Sequence, residues 1–282
     1  NFNKINDIVK KEKPDLIFHL AAQSIVSSSY RDPLKTFQSN ILGSANLLEV
    51  FRKNNIPSMV FITSDKCYLN LDLKKDYKEN DELGGLDNYS SSKASAELIF
   101  SSFFHSYFKD KGRHLSIGSV RAGNVIGGGD MKVNRLIPDT IKSITNNRKI
   151  LIRNPYSTRP WQHVLEPLGG YLLLGSKLYL DKSLNGESFN FGPLPQNSHT
   201  VEILLQDLSK YWNIEDLSEA YKITGDIKFE EAGLLKLNCD KALSHLKWFP
   251  TLNHKQLIEF TGSWYYNFYK KQENMLDYTL NQ

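Results

Sequence analysis

The sequence predicts an α/β fold, a doubly wound parallel sheet with a smaller mixed α/β lobe, on three observations. Short apolar runs bounded by polar turns recur at residues 16–22, 59–64, 115–122 and 188–192. Stretches of helical periodicity at 40–55 and 90–109 lie between the first three, and strands alternating with helices at this spacing form parallel sheets with helices on both faces. Polar residues then gather where strands end, at 21–24, 64–66 and 122–124, which is the edge where such sheets hold ligands.

Taken in order, the run LIFHLAA follows the polar opening and Lys13-Pro14-Asp15. The segment NILGSANLLEVFRKNN carries Ile41, Ala45, Leu48 and Val50 near helical spacing. Past Asn55 and Pro57, MVFITS is the second strand and ends at Ser64. A loop rich in charge and glycine leads to a long helix from Ser90, and LSIGSVRA then runs into GNVIGGGD. Beyond about residue 126 the pattern breaks into loops rich in Pro, Asn and Arg, with returns to the sheet such as SFNFG. The expected division is therefore residues 1–125, with returns near 161–192, and a largely separate, interleaved lobe over 126–282.

Composition narrows the function classes. With 282 residues, 23% charged, and a net charge of +4, no basic block favours nucleic acid, although single Lys and Arg residues can converge on a small anion. The two cysteines, Cys67 and Cys239, lack CxxC or CxxH companions. This argues against a disulfide scaffold or a structural metal site and fits a reducing cytoplasm. No apolar run reaches membrane-spanning length.

The chemistry-bearing residues sit at the predicted strand ends. Tyr89 and Lys93 are four residues apart at a helix start, so both project from one face. A tyrosine with a pKa of about 10 is a poor base at neutral pH. A nearby ammonium stabilises the phenolate and makes proton exchange with a hydroxyl feasible. The spacing alone also describes an exposed Tyr and Lys on a helix, but Ser64, ending a strand upstream, can hydrogen-bond the same hydroxyl. Asp65 and Lys66 follow at once and offer an acid and a base, or else a solvated turn.

Several motifs together carry a resemblance: HLAAQ-x-x-V from His19, TSDKCY from Thr63, LGG-x-D-x-YSSSKA from Leu83, and RAGNVIGGGD from Arg121. RLIPD from Arg135, IRNP from Ile152, TRPWQHVLEPLGGYLLL from Thr158 and SFNFGP from Ser188 complete it. With these the chain resembles the CDP-glucose 4,6-dehydratases, extended short-chain dehydrogenases/reductases with a Rossmann-like NAD-binding domain. The resemblance implies that bound NAD is consumed and regenerated in each turnover of CDP-glucose. It implies that Tyr89, poised by Lys93 and Ser64, takes the 4-hydroxyl proton, that Asp65 protonates the departing 6-hydroxyl, and that Lys66 assists loss of the C5 proton. Related dTDP-glucose dehydratases carry a glutamate at that last position, so Lys66 acts either as a base of lowered pKa or electrostatically.

The same resemblance places Ala21, Ala22, Asn40, Tyr89 and Lys93 at the cofactor, and Asn124, Arg135, Arg159 and Asn190 at the substrate. A guanidinium fork suits a diphosphate, while a loop arginine is also an ordinary surface charge and Asn190 an ordinary turn former. Gly127-Gly128-Gly129 lacks the spacing of a dinucleotide fingerprint and is expected to be a flexible substrate-side loop. His19 and Cys67 are expected to be packing residues. No G-x-G-x-x-G or G-x-x-G-x-x-G follows an opening strand, so the first βαβ elements are expected to precede Asn1, and the chain as it stands is expected to bind NAD poorly. Relatives pair through helices matching 40–55 and 90–109, which implies a homodimer, with Leu47, Phe100, Phe103 and Phe104 either in that seam or in the core. The alternatives are a dehydratase or epimerase for another nucleotide sugar, and a non-catalytic nucleotide-sugar-binding protein. Simple epimerases lack the Asp-Lys pair, so Asp65 and Lys66 favour dehydration, in the synthesis of deoxysugars for O-antigen-type surface polysaccharide.

Overall fold

The computed structural model describes residues 1–71, 75–110, 114–194, 197–214, 221–223 and 234–282. Its strands in chain order are β1 (Leu16–His19), β2 (Ser58–Ile62), β3 (Asp76–Tyr77), β4 (Ser116–Ala122), β5 (Asn124–Ile126), β6 (Ile150–Ile152), β7 (Thr158–His163), β8 (Ser188–Phe191), β9 (Ser198–Thr200), β10 (Tyr221–Ile223) and β11 (Lys236–Leu237). The α-helices are α1 (Phe2–Glu12), α2 (Val26–Arg31), α3 (Pro33–Phe37), α4 (Gly43–Lys53), α5 (Asn88–Phe103), α6 (Leu136–Thr145), α7 (Leu165–Leu180), α8 (Val201–Ser209), α9 (His254–Tyr266) and α10 (Met275–Asn281). They fall into two compact units.

The first unit comprises Asn1–Gly123, Pro167–Gly192 and Leu235–Phe249. Its centre is a four-stranded parallel sheet of order β1-β2-β4-β8, in register through Leu16 with Ser58, Ser58 with Ser116, and Ser119 with Ser188. Parallel strands are covered on both faces and so read as continuous apolar runs. Met59, Phe61 and Ile117 face one core with Leu48, Phe51, Phe100 and Phe108. Val60 and Val120, one pleat away, face another with Leu174, Phe189 and Phe191.

The expected strand at 16–22 stops at His19, and Leu20, Ala21 and Ala22 are exposed beyond it. The expected helix at 40–55 is α4 preceded by a π-helical turn, Gln38–Leu42. The one expected from Ser90 begins earlier because the Asp87 carboxylate caps it, accepting from the N–H groups of Tyr89 and Ser90. It runs into a second π-helical turn, Phe104–Phe108. Leu47 and Phe100 are buried in the core, with Phe103 and Phe104 packed against it. Leu47 and Phe100 are therefore core residues, while Phe103 and Phe104 are half-buried against that core.

The second unit comprises Asn124–Glu166, Pro193–Leu234 and Pro250–Gln282. It holds a sheet of order β5-β7-β9 and the pair β10-β6, over a core that includes Ile137, Trp161, Leu204, Leu208, Leu257, Trp264 and Tyr265. Here the glycine-rich loop departs from expectation. A Cβ on Gly128 would lie 2.1 Å from the Trp264 ring, and one on Gly127 2.7 Å from Val164. Close packing, rather than looseness, is what these glycines permit.

Candidate active site

At the end of β2, the Thr63 N–H donates to Val120 O at 2.9 Å, so the strand end stays tied to β4. Ser64 is extended, with φ −169° and ψ 159°, and caps the short 3₁₀ turn Asp65–Cys67 by accepting from Lys66 N at 3.3 Å. Its hydroxyl donates to Asp65 Oδ1 at 3.0 Å. Asp65 is buried, and its Oδ2 has no hydrogen-bond partner among the described residues, only the Lys66 ammonium at 3.8 Å. Gly123 borders that oxygen, a Cβ there standing in ordinary contact with it at 3.5 Å. A carboxylate and an ammonium thus meet directly beside the serine.

Helix α5 packs against this turn and carries Tyr89 and Lys93, both buried, one helical repeat apart. Burial pulls the Lys93 ammonium down to about 8, against the upward pull of Cys67 and Glu97. A lysine so placed stays mostly charged at neutral pH yet sits close to its titration point. Burial, together with the charge of Lys93, pushes His19 down to about 4. That histidine is neutral and hydrogen-bonded to Ser44 Oγ at 3.1 Å, in keeping with a packing role.

The other expected site residues divide by what holds them. Ala21 and Ala22 are small and exposed just beyond β1. The Asn40 amide is spent on the loop behind them: its Oδ1 accepts from Gln23 N, and its Nδ2 donates to Gln23 O and to Ser92 Oγ on α5. Asn190 is fully buried. It accepts from Tyr68 OH at 2.7 Å and donates to Tyr77 O and Asn238 O, so this amide joins strands rather than facing open space. Asn124, Arg135 and Arg159 belong to the second unit. Asn124 opens β5 opposite Trp161, Arg135 pairs with Asp130 at 2.8 Å just before α6, and Arg159 lies opposite His199 on β9.

Sequence reasoning missed the polar network behind the first group. Glu97 and Arg121 form a buried ion pair at 2.9 Å. Arg121 donates further to Tyr68 OH at 2.8 Å and to Glu79 O. The signal available was the spacing of Tyr89, Lys93 and Glu97, three polar groups on one helix face.

A parallel sheet with serine, tyrosine and lysine gathered at its carboxyl edge defines the short-chain dehydrogenase/reductase type. The family model described as GDP-mannose 4,6 dehydratase matches residues 1–261, and the chain belongs to that family. It is 44% identical over 254 residues to the CDP-glucose 4,6-dehydratase of Salmonella typhimurium, covering 89% of this chain and 70% of that protein. It is 23% identical over 299 residues to a dTDP-D-glucose 4,6-dehydratase of Dictyostelium discoideum, covering 93% and 67%. In fold it matches the dTDP-glucose 4,6-dehydratase of Streptomyces venezuelae solved with NAD bound, with a TM-score of 0.79, 20% identity and coverage of 92% and 76%. The UDP-glucose 4-epimerase of Thermotoga maritima with UDP-glucose matches with a TM-score of 0.80, 22% identity and coverage of 97% and 83%.

Proposed function

We propose that the chain carries out the 4,6-dehydration of CDP-D-glucose to CDP-4-dehydro-6-deoxy-D-glucose and water, with NAD as its resident cofactor. The observation that carries this reading is the Asp65–Lys66 pair, set directly after Ser64 and against the helix of Tyr89 and Lys93. The 44% identity to a CDP-glucose 4,6-dehydratase supports the choice of sugar. NAD, when bound, accepts a hydride from the sugar and returns it. Two features support such a group: Ala21 and Ala22 are small and exposed just past the end of β1, and Lys93 on α5 is a cationic donor.

The chain's own residues then have separable tasks. Tyr89 takes the proton of the 4-hydroxyl, since the Lys93 ammonium favours its phenolate. Ser64 orients that hydroxyl. Asp65 delivers a proton to the departing 6-hydroxyl, and the C5 proton passes either to Lys66 acting as a base or to another basic group while the Lys66 ammonium stabilises the charge that develops. Arg135, Arg159 and Asn124 are proposed for the diphosphate or the lobe around it.

The test is to supply NAD with CDP-, dTDP- and GDP-hexoses and follow the alkali absorbance of a 4-keto sugar. Product from CDP-glucose is expected once NAD is held, and none from any hexose by an NAD-loaded chain would sink the reading. Lys66→Ala is expected to slow elimination while C4 oxidation remains detectable. Loss of oxidation too, in a folded variant, would count against the division of tasks. We propose further that the protein works in the cytoplasm, supplying deoxysugars for surface polysaccharide, and that it forms a homodimer. Leu42 on the first π-helical turn is 58% exposed and Leu98 on α5 59%, so each of these segments leaves one large apolar side chain uncovered. Sedimentation as a monomer at micromolar concentration would overturn the dimer.

A further inference from the structure

On α5, Tyr89, Lys93 and Glu97 recur at the helical repeat, and all three are buried. The catalytic assignment uses the first two. The third is a carboxylate that is only 2% exposed, and the sheet holds it. Thr63 Oγ1, at the end of β2, donates to its Oε1. From β4, Ser119 Oγ donates to its Oε2 at 3.0 Å and Arg121 Nη2 at 2.9 Å. Thr63 immediately precedes Ser64. One carboxylate therefore ties the helix of Tyr89 and Lys93 to the strand end of Ser64 and Asp65. Arg121 extends the tie, its guanidinium lying 4.9 Å from the centre of the Tyr68 ring, just beyond the Asp65–Cys67 turn.

The charge of Glu97 also reaches Lys93. The titratable groups that act with that ammonium are His19 from β1, Cys67 from the turn after β2 and Glu97 from α5; the elements packed here also carry Asp65 and Lys66 on that turn, Tyr89 on α5 and Arg121 on β4. Two acids act on it, Cys67 and Glu97. Burial pushes the Cys67 thiol far up, so it stays neutral. Burial also pushes the Glu97 carboxyl up, but Arg121 and the hydroxyls of Thr63 and Ser119 outweigh this and hold it below the usual carboxylate range. Of the two acids, Glu97 alone is an anion at neutral pH.

We propose that Glu97 is a positioning residue for the proton-exchanging pair: its carboxylate, anchored by Arg121, keeps the Lys93 ammonium charged and locks α5 to the strand end of Ser64 and Asp65. This rests on the assignment of Tyr89 and Lys93 as that pair. The test is a carbon-13 NMR titration of the lysine-labelled chain, with the signal assigned by its loss in Lys93→Met. The wild-type midpoint is expected near 8. Glu97→Gln is expected to lower it, the direction in which loss of an opposite charge one helical repeat away acts. Glu97→Asp, which keeps the charge, is expected to recover most of the shift. A folded Glu97→Gln whose Lys93 midpoint does not move would overturn the proposal and leave Glu97 a structural residue only. If Glu97→Gln does not fold, the double variant Glu97→Gln/Arg121→Gln leaves neither charge buried alone. Losing the Arg121 cation offsets part of the effect, so a smaller downward shift is expected there, and a midpoint that is unmoved or raised overturns the proposal. The titration needs neither substrate nor cofactor, so a chain that turns over no nucleotide sugar would sink the function proposed above and leave this result standing.

Discussion

The two units organise their polar ends by opposite means. In the first, the strand end bearing Ser64 and Asp65 is fixed by a buried ion pair and a web of hydrogen bonds centred on Glu97 and Arg121. In the second, the glycine loop before Arg135 is fixed by aromatic packing. The Trp264 ring lies against Gly128, and Tyr265 OH donates to Asp130 O at 2.7 Å. A buried ion pair gives geometry at the cost of desolvation, so it fails when one charge is removed. Packing on glycine is indifferent to charge and fails when volume is added.

That contrast is open to experiment, and the largest effect belongs to the ion pair. Arg121→Ala strands the Glu97 carboxylate, and about 3–5 kcal/mol of stability is expected to go. A urea midpoint close to wild type would show that the network carries little of the first unit's stability. Gly128→Ala is next, with an expected loss of about 1–3 kcal/mol from crowding Trp264. If Trp264→Ala, which opens the space, fails to relieve it in the double variant, the packing account of the second unit is wrong.

Acid should strike both units alike, which sharpens the contrast by removing it. His19 in the first unit and His163 in the second are each held down to about 4, His163 by burial and His19 by burial and Lys93. In the unfolded chain these imidazoles protonate near pH 6.5. Their contribution is thus whole above about pH 6.5 and is lost as pH falls from there toward 4, because the unfolded state binds the extra protons. In that window each histidine is expected to steepen the fall by up to about 1.4 kcal/mol per pH unit. His19→Gln and His163→Gln should each flatten the slope by one such step, and an unchanged slope in either would show that its imidazole titrates normally. The smallest effect is Tyr265→Phe, which removes one hydrogen bond to the glycine loop and is expected to cost about 1 kcal/mol. A cost as large as that of Gly128→Ala would mean the loop depends on that hydroxyl rather than on packing.

Much of the fold was legible because it is local. The four sheet strands announced themselves as apolar runs, and those covered on both faces, Ser58–Ile62 and Ser116–Ala122, were the clearest. Helix α5 was misplaced by two residues at its start, because the Asp87 cap lies before the apolar pattern that marked it. In the candidate site, Ser64 with Asp65 and Tyr89 with Lys93 could be picked out from sequence as candidates, since each pair is local. Arg121 could not: its partner Glu97 stands 24 residues away, and only the sheet brings them together. Asn190 illustrates the same limit. Its partners Tyr68 and Tyr77 are 122 and 113 residues distant, so a residue that looked like a ligand contact is occupied inside the unit. Phe100 was ambiguous in sequence because a helix face toward the core and one toward a partner carry the same apolar period.

The spacing on α5 bears on how this chain tolerates change in length. Each added residue rotates everything beyond it by about 100° around the helix axis. An insertion between Tyr89 and Glu97 would therefore swing one member of the set off the face that the others occupy, even if every side chain were kept. A π-helical turn is a place where a helix has taken in an extra residue without losing its course. On this helix that turn is Phe104–Phe108, past all three groups. Insertions and deletions should accordingly be survivable at that end of the helix and ruinous within its first two turns.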